Sequence, residues 1–212
     1  MTVAIIDYGS SNLRSAFKAF ELAAENAGLK TKIVVTNNPT DLKQANQIIL
    51  PGVGAFADCR KGLAELDGME KAIEEHVIVK KKPFLGICVG MQLMATIGRE
   101  HKDTSGLDWL PGEVVAIEPS RAELKIPHMG WNNLTLQSPE HPLLKDLGNN
   151  PHFYFVHSYV FKPKENSDII ATFDYGGQFT AIIGRDNIVG TQFHPEKSQV
   201  NGLLLISNFL KW

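Results

Sequence analysis

An apolar run that ends in a cysteine between two glycines constrains this chain more than any other stretch. Lys82-Pro83-Phe84-Leu85-Gly86-Ile87-Cys88-Val89-Gly90-Met91-Gln92 reads as a short buried strand, a sharp turn and the start of a helix. The glycines allow a strained turn that lifts the cysteine side chain out of the fold. A helix behind the turn aims its first amides at the sulfur, and their partial positive charge favours a thiolate. A strand, a sharp turn and a helix in immediate succession also point to an α/β sheet with its ligands at the strand ends.

The rest of the first half agrees. Val3–Ile6 reads as a short apolar strand, followed by the turn Asp7-Tyr8-Gly9-Ser10-Ser11, which ends in helix-capping residues. From Asn12, Leu13, Ala16, Phe17, Phe20, Ala23, Ala24 and Ala27 recur at helical spacing, with Gly28 as the stop. Lys32–Val35, Gln47–Leu50 and Phe84–Ile87 are further strands, and 55–66 is a helical stretch. The second half shows β-like runs at Glu113–Ile117, Asn133–Leu136, His152–Val156, Ile169–Thr172, Gln178–Ile183 and Ile188–Gln192, then a last helix at Gln199–Leu210. The pattern predicts an α/β fold: a mostly parallel central sheet flanked by helices, with added antiparallel strands. With no repeat or linker, residues 1–212 are expected to form one domain.

Cysteine hydrolysis of an amide needs a thiolate, a proton shuttle and an anion site. Cys88 supplies the first. Gln192-Phe193-His194-Pro195-Glu196 supplies a base, His194, and a carboxylate two residues on, Glu196, able to orient the ring and stabilise its cation. Alone, His-Pro-Glu is a weak signal; its weight comes from the pairing with Cys88. The backbone amide of Val89 and the loop Pro51-Gly52-Val53-Gly54-Ala55-Phe56, where two glycines allow close approach, are candidates for the anion site. His157-Ser158-Tyr159 lies at a strand end, where ligands bind.

Bulk properties narrow the alternatives. A net charge of −2 over 212 residues leaves no excess of cations for nucleic acid, and Lys80-Lys81-Lys82 reads as a solvated helix end. Two cysteines make no disulfide framework; Cys59 reads as a small core residue, and a reducing compartment follows. The N-terminus lacks the features of a signal peptide and no stretch is long enough to span a bilayer, so a soluble cytoplasmic protein is expected. His76, His101, His141 and His152 show no metal-ligand grouping.

Taken together, Gly86–Gln92 and His194-Pro195-Glu196 resemble the class I (triad) glutamine amidotransferases, and the resemblance spans essentially the whole chain. Five further segments carry it toward one member of that family: Ile6–Gly9, Pro51–Phe56, Pro127-His128-Met129-Gly130-Trp131-Asn132, Phe155–Tyr159 and His194–Gln199. The resemblance implies Cys88 as nucleophile, His194 as acid/base and Glu196 as orienting carboxylate. It implies Gly52, Val53 and Gly54 as an oxyanion strand whose peptide orientation switches activity. Gln92, Glu100, His157, Ser158 and Tyr159 become glutamine-binding positions, with Glu100 a partner for the α-ammonium. Trp131, Tyr154 and Lys197 become contacts in a heterodimer with a (β/α)₈-barrel cyclase of histidine biosynthesis, which uses the released ammonia. No metal or organic cofactor is implied. The chain departs from the family at Ser11, which stands for a usual glycine and puts a role for Asn12 in question, and at 101–109, which is expected to be a longer surface loop. Another amidotransferase of the same fold, serving pyridoxal phosphate, purine or anthranilate synthesis, is the nearest alternative; a non-catalytic binding module is the alternative of another class.

Overall fold

The computed structural model describes residues 1–9 and 13–212. The expected helix-capping residues Ser10, Ser11 and Asn12 lie outside the described residues. In chain order the elements are β1 (Thr2–Ile6), α1 (Leu13–Asn26), β2 (Lys32–Thr36), β3 (Gln47–Gly52), α2 (Phe56–Ala64), α3 (Met69–Glu74), β4 (Phe84–Cys88), α4 (Val89–Gln92), β5 (Ile97–Gly98), β6 (Thr104–Ser105), β7 (Gly112–Ala116), β8 (His128–Asn133), β9 (Thr135–Leu136), β10 (His152–His157), β11 (Tyr159–Pro163), β12 (Ile169–Asp174), β13 (Gln178–Arg185), β14 (Ile188–Thr191) and α5 (Gln199–Leu210).

Among the described residues the main sheet has eight strands, ordered β2-β1-β3-β4-β14-β13-β12-β9. β2, β1, β3, β4 and β14 run parallel. β13, β12 and β9 continue the sheet antiparallel. β3 and β4 are buried along their whole length, as central strands covered on both faces must be. α1 and α5 pack against each other, with Phe20 edge-on to Phe209 at 6.5 Å between ring centres. β10 pairs with β8, and β11, β7, β5 and β6 form a third sheet.

Two expectations need correction, and a third needs detail. Ile188–Gln192 was expected among the antiparallel strands, yet β14 runs parallel to β4. β13 arrives antiparallel, and the Asp186-Asn187 turn, with Asp186 at φ 54°, sends the chain back. Strand direction leaves no trace in an apolar run. Asn133–Leu136 was expected as one strand; Asn133 ends β8 and Thr135–Leu136 forms β9 in another sheet. Segment 101–109 was expected to be a surface loop, and its tip is exposed. Its end stays at the surface but is tied to the chain beyond α4: Leu107 N donates to Leu93 O (2.7 Å), and Trp109 N and Leu110 N to Met94 O (3.0 and 3.1 Å). These bonds satisfy the carbonyls just beyond α4, which has a single turn.

Candidate active site

The C-terminal ends of β3 and β4 meet the segment after β14 in a cleft of about 400 Å³, lined by Val53, Gly54, Cys88, Val89, Gln92, Glu100, Pro127, residues 156–159, His194 and Lys197. That volume suits a small metabolite.

Cys88 sits at the turn between β4 and α4 with φ 54° and ψ −112°, a conformation that L residues adopt only under constraint from their surroundings. The constraint is visible. A side chain on Gly90 would put its Cβ 1.7 Å from the Leu50 carbonyl oxygen, and one on Gly86 would meet the Gly90 carbonyl at 2.6 Å. Only glycine at both positions lets α4 fold back over β3 and β4 and turn the sulfur outward into the cleft. The helix behind the cysteine is shorter than a macrodipole argument needs, so the nearby first-turn amides, that of Val89 foremost, are what it offers an anion.

His194 and Glu196 are both buried, their side chains 2% and 3% exposed, and His194 Nδ1 lies 2.8 Å from Glu196 Oε1. Glu196 therefore holds the proton on Nδ1 and leaves Nε2 for chemistry. Burial acts to lower the His194 pKa, but the charge of Cys88 and its hydrogen bond, followed by Glu196, outweigh that and raise it to about 10. The ring is thus held as an imidazolium beside the sulfur at neutral pH, an arrangement able to give a proton to a leaving nitrogen.

The structure divides the other expected residues. Val53, Gly54 and Val89 line the cleft. Gly54 has φ 105°, open to glycine alone. Gly52, expected in the oxyanion group, lies outside the cleft: it is packed beneath the turn, where an added Cβ would fall 2.8 Å from Gly90 N and 3.0 Å from Val89 Cβ. The Val53 carbonyl accepts a hydrogen bond from Cys59 Sγ at 3.4 Å, and burial pushes the Cys59 thiol up to about 11, in keeping with a core residue. Glu100 lines the cleft and accepts the Phe56 N–H at 2.7 Å, so it caps α2 as well. Gln92 lines the cleft too, but its amide nitrogen is already committed to Tyr159 O (3.2 Å) and Gln192 Oε1 (3.1 Å). Trp131 and Tyr154 lie outside the cleft on the paired strands β8 and β10, directly opposite in register and 6.0 Å apart between rings, with Lys197 Nζ 5.9 Å from the Tyr154 ring. Met129, 62% exposed, and Trp131, 44% exposed, make this an apolar outer face.

Two residues, one beside the sulfur and one behind His157, have no role assigned from the sequence. Gln192 is fully buried and its Nε2 lies 3.7 Å from Cys88 Sγ. Its position two residues before His194 was the available signal, since such residues share a face in extended chain. His128 Nδ1 lies 3.0 Å from His157 Nε2. Burial lowers both rings, His128 to about 4 and His157 to about 3. Among the described residues no group of His, Cys, Asp and Glu is arranged to hold a metal ion.

A strained cysteine turn and a buried His–Glu pair beside a small cleft form an arrangement able to hydrolyse an amide, and comparison with known proteins gives the family. Residues 4–212 match the family model "Glutamine amidotransferase class-I", and the chain belongs to that family. Among curated relatives it is 57% identical to the imidazole glycerol phosphate synthase subunit HisH of Rhodopseudomonas palustris, covering 100% of this chain and 99% of the relative. It is 55% identical to the subunit of the same name from Rhodospirillum rubrum, with the same coverage. Among solved structures, a glutamine amidotransferase at 19% identity superposes with a TM-score of 0.71 over 99% of this chain and 97% of that one. Another, from Thermotoga maritima, gives 0.61 at 18% identity, over 92% and 76%. These two bear on the fold alone. The chain is a glutamine-hydrolysing enzyme of the HisH group, and no helix among the described residues is long and apolar enough to cross a membrane.

Proposed function

We propose that this chain is one amidotransferase domain whose Cys88, His194 and Glu196 hydrolyse glutamine and whose ammonia passes to a (β/α)₈-barrel cyclase subunit, which makes imidazole glycerol phosphate and AICAR in histidine biosynthesis. The observation that carries this reading is the buried His194–Glu196 pair, which leaves His194 Nε2 for the sulfur at the strained turn.

In this reading the glutamine side-chain amide enters the cleft with its carbonyl carbon against Cys88 Sγ. The sulfur attacks, and charge develops on the carbonyl oxygen near the Val89 amide and the 53–54 loop. His194 Nε2–H protonates the departing nitrogen, ammonia leaves and a glutamyl thioester remains. Water, deprotonated by His194, then attacks the thioester; glutamate is released and the cysteine returns. Glu100 receives the α-ammonium, and residues 157–159 form the wall along the substrate. Trp131, Tyr154 and Lys197, gathered beside the cleft mouth, meet the cyclase, and the loop at 51–56 gates activity until it docks.

The test is glutamate release from glutamine, measured with and without the cyclase subunit and its nucleotide ligand. Strong turnover only in the full mixture, abolished by Cys88→Ala, is the expected result. Turnover retained by Cys88→Ala would remove Cys88 as nucleophile, and an equal rate in the isolated chain would overturn the gating.

A further inference from the structure

One run of hydrogen bonds crosses the molecule from the Cys88 sulfur to the strand that bears Met129 and Trp131. Tyr159 O stands at its centre, because a backbone carbonyl can only accept. Gln92 must therefore turn its amide nitrogen to Tyr159 (3.2 Å), and the same nitrogen meets Gln192 at 3.1 Å. Gln192 must answer with its oxygen, which directs its own nitrogen to Cys88 Sγ at 3.7 Å. The second branch is equally constrained. His157 Nδ1 lies 2.9 Å from Tyr159 O and must carry the proton. In a neutral ring His157 Nε2 then accepts, so His128 Nδ1 donates to it at 3.0 Å. His128 Nε2 accepts in turn from Asn132 Nδ2 at 3.3 Å, and Asn132 also donates to Asp174 O at 2.8 Å. A single backbone carbonyl thus sets every donor and acceptor on both branches.

The two histidines have no freedom to escape this arrangement. His128 is stacked on Phe173 at 5.1 Å and lies 4.1 Å from the Tyr175 ring, and it is paired with His157 in the β8–β10 register. β8 alternates: His128 and Asn132 face the chain of bonds, while Met129 and Trp131 face outward. The strand that would carry partner contacts is therefore the strand on which the chain of bonds ends.

We propose that Gln192 is the donor that positions and stabilises the Cys88 sulfur, and that His128 is a positioning residue acting on it through His157, Tyr159 and Gln92. The proposal deepens the glutaminase reading and rests on it for the role of Cys88. It gives the outer face of β8 a physical route to the nucleophile that does not pass through the 51–56 loop.

The experiment reads the nucleophilicity of Cys88 directly. The rate of Cys88 alkylation by iodoacetamide at pH 7 is measured on the full chain, with peptide-level mass spectrometry separating Cys88 from Cys59. Gln192→Met, which fills the space without a donor, should slow Cys88 about ten-fold, the loss expected for one bond to a charged acceptor. His128→Leu should slow it about three-fold, whereas His128→Asn, whose amide replaces the Nδ1 donor, should stay near the parent rate. The double variant Gln192→Met/His128→Leu should be no slower than Gln192→Met alone, since the distal member acts only through the proximal one. An unchanged rate in folded Gln192→Met, or effects that multiply in the double variant, would overturn the proposal. Imidazole ¹⁵N spectra of the unmodified chain add a reading that needs no variant: both rings should be neutral Nδ1–H tautomers at pH 7, and Nε2–H or doubly protonated rings would overturn it. Glutamate release with the cyclase, run alongside, separates the two ideas. An inactive parent enzyme whose alkylation follows the expected pattern would sink the glutaminase reading and leave the chain of bonds standing.

Discussion

Lowering the pH from 7 to 5 should destabilise the fold through His128 and His157. Burial holds these rings at about 4 and about 3, below an ordinary value of 6.5. At pH 5 both stay neutral in the native chain and both are protonated in the unfolded one. Unfolding then takes up protons, so stability present above pH 6.5 is lost as the pH falls toward the native pKa values. At about 1.5 pH units below 6.5, each ring contributes a loss of about 2 kcal/mol, about 4 kcal/mol together. His76 and His141, also lowered by burial, act in the same direction. His194 opposes them. Its native pKa of about 10 gives a stabilisation that is complete below 6.5 and is lost as the pH rises toward 10. Between pH 7 and 5 it returns a little under about 1 kcal/mol. The net loss is roughly 3 kcal/mol, a large share of the stability of a domain this size. Urea unfolding followed by circular dichroism should show the midpoint about 1–1.5 M lower at pH 5 than at pH 7. His128→Phe keeps an aromatic ring in the stack and removes one proton site, so its fall should be smaller by about 2 kcal/mol. Equal falls in parent and variant, or a midpoint that does not move, would refute the reasoning.

Two further substitutions test the geometry around the sulfur. Gly90→Ala places a methyl 1.7 Å from the Leu50 carbonyl in the fully buried strand β3. The fold should lose about 3 kcal/mol or more, seen as a thermal midpoint about 6–12 °C lower; an unchanged midpoint would mean that α4 can move away from β3. Glu100→Gln keeps an acceptor for the Phe56 N–H but loses the charge, so KM for glutamine should rise about ten-fold with little change in thermal midpoint. Glu100→Ala should cost about 1 kcal/mol of stability besides, through the lost cap. An unaltered KM in both would take Glu100 out of ammonium recognition.

The parts of the site that sequence made legible are those in which local chemistry and geometry coincide. Gly86, Cys88 and Gly90 could be read because the strained turn demands two glycines at those places, and His194 and Glu196 because an i, i+2 pair suffices to orient a ring. The strands β1, β3 and β4 were legible from continuous apolar runs. β8 was not: its apolar residues, Met129 and Trp131, alternate but face outward, and its inward residues, His128 and Asn132, are held by hydrogen bonds rather than by hydrophobic burial. Gln192 and His128 were hidden for the same reason. Their partners lie 104 and 29 residues away, at Cys88 and His157, and spacing carries no information about such pairs. The docking of Leu107–Leu110 on the end of α4 was hidden because it is made by backbone groups, which every residue possesses.

Glu100 shows how these layers meet. Its place is set by packing: Gly98 lies against the Phe56 ring, where a Cβ would come within 2.6 Å, and Arg99 N donates to Val114 O at 2.8 Å. Those contacts bring the carboxylate to the first turn of α2, where Oε2 takes the Phe56 N–H. An anion at a helix N-terminus is favourable before any ligand arrives. The same carboxylate lines the cleft with Val53, Gly54 and Cys88, where an entering ammonium would meet it, and its other oxygen, Oε1, lies 4.0 Å from His101 Nε2. α2 begins at Phe56, the last residue of the 51–56 segment, and its cap and the proposed ammonium site are one side chain. An ammonium drawn to Glu100 competes with the Phe56 amide for the same negative charge. In the proposed role of Glu100, occupancy of the cleft and the conformation of the loop that borders the sulfur are coupled through this carboxylate.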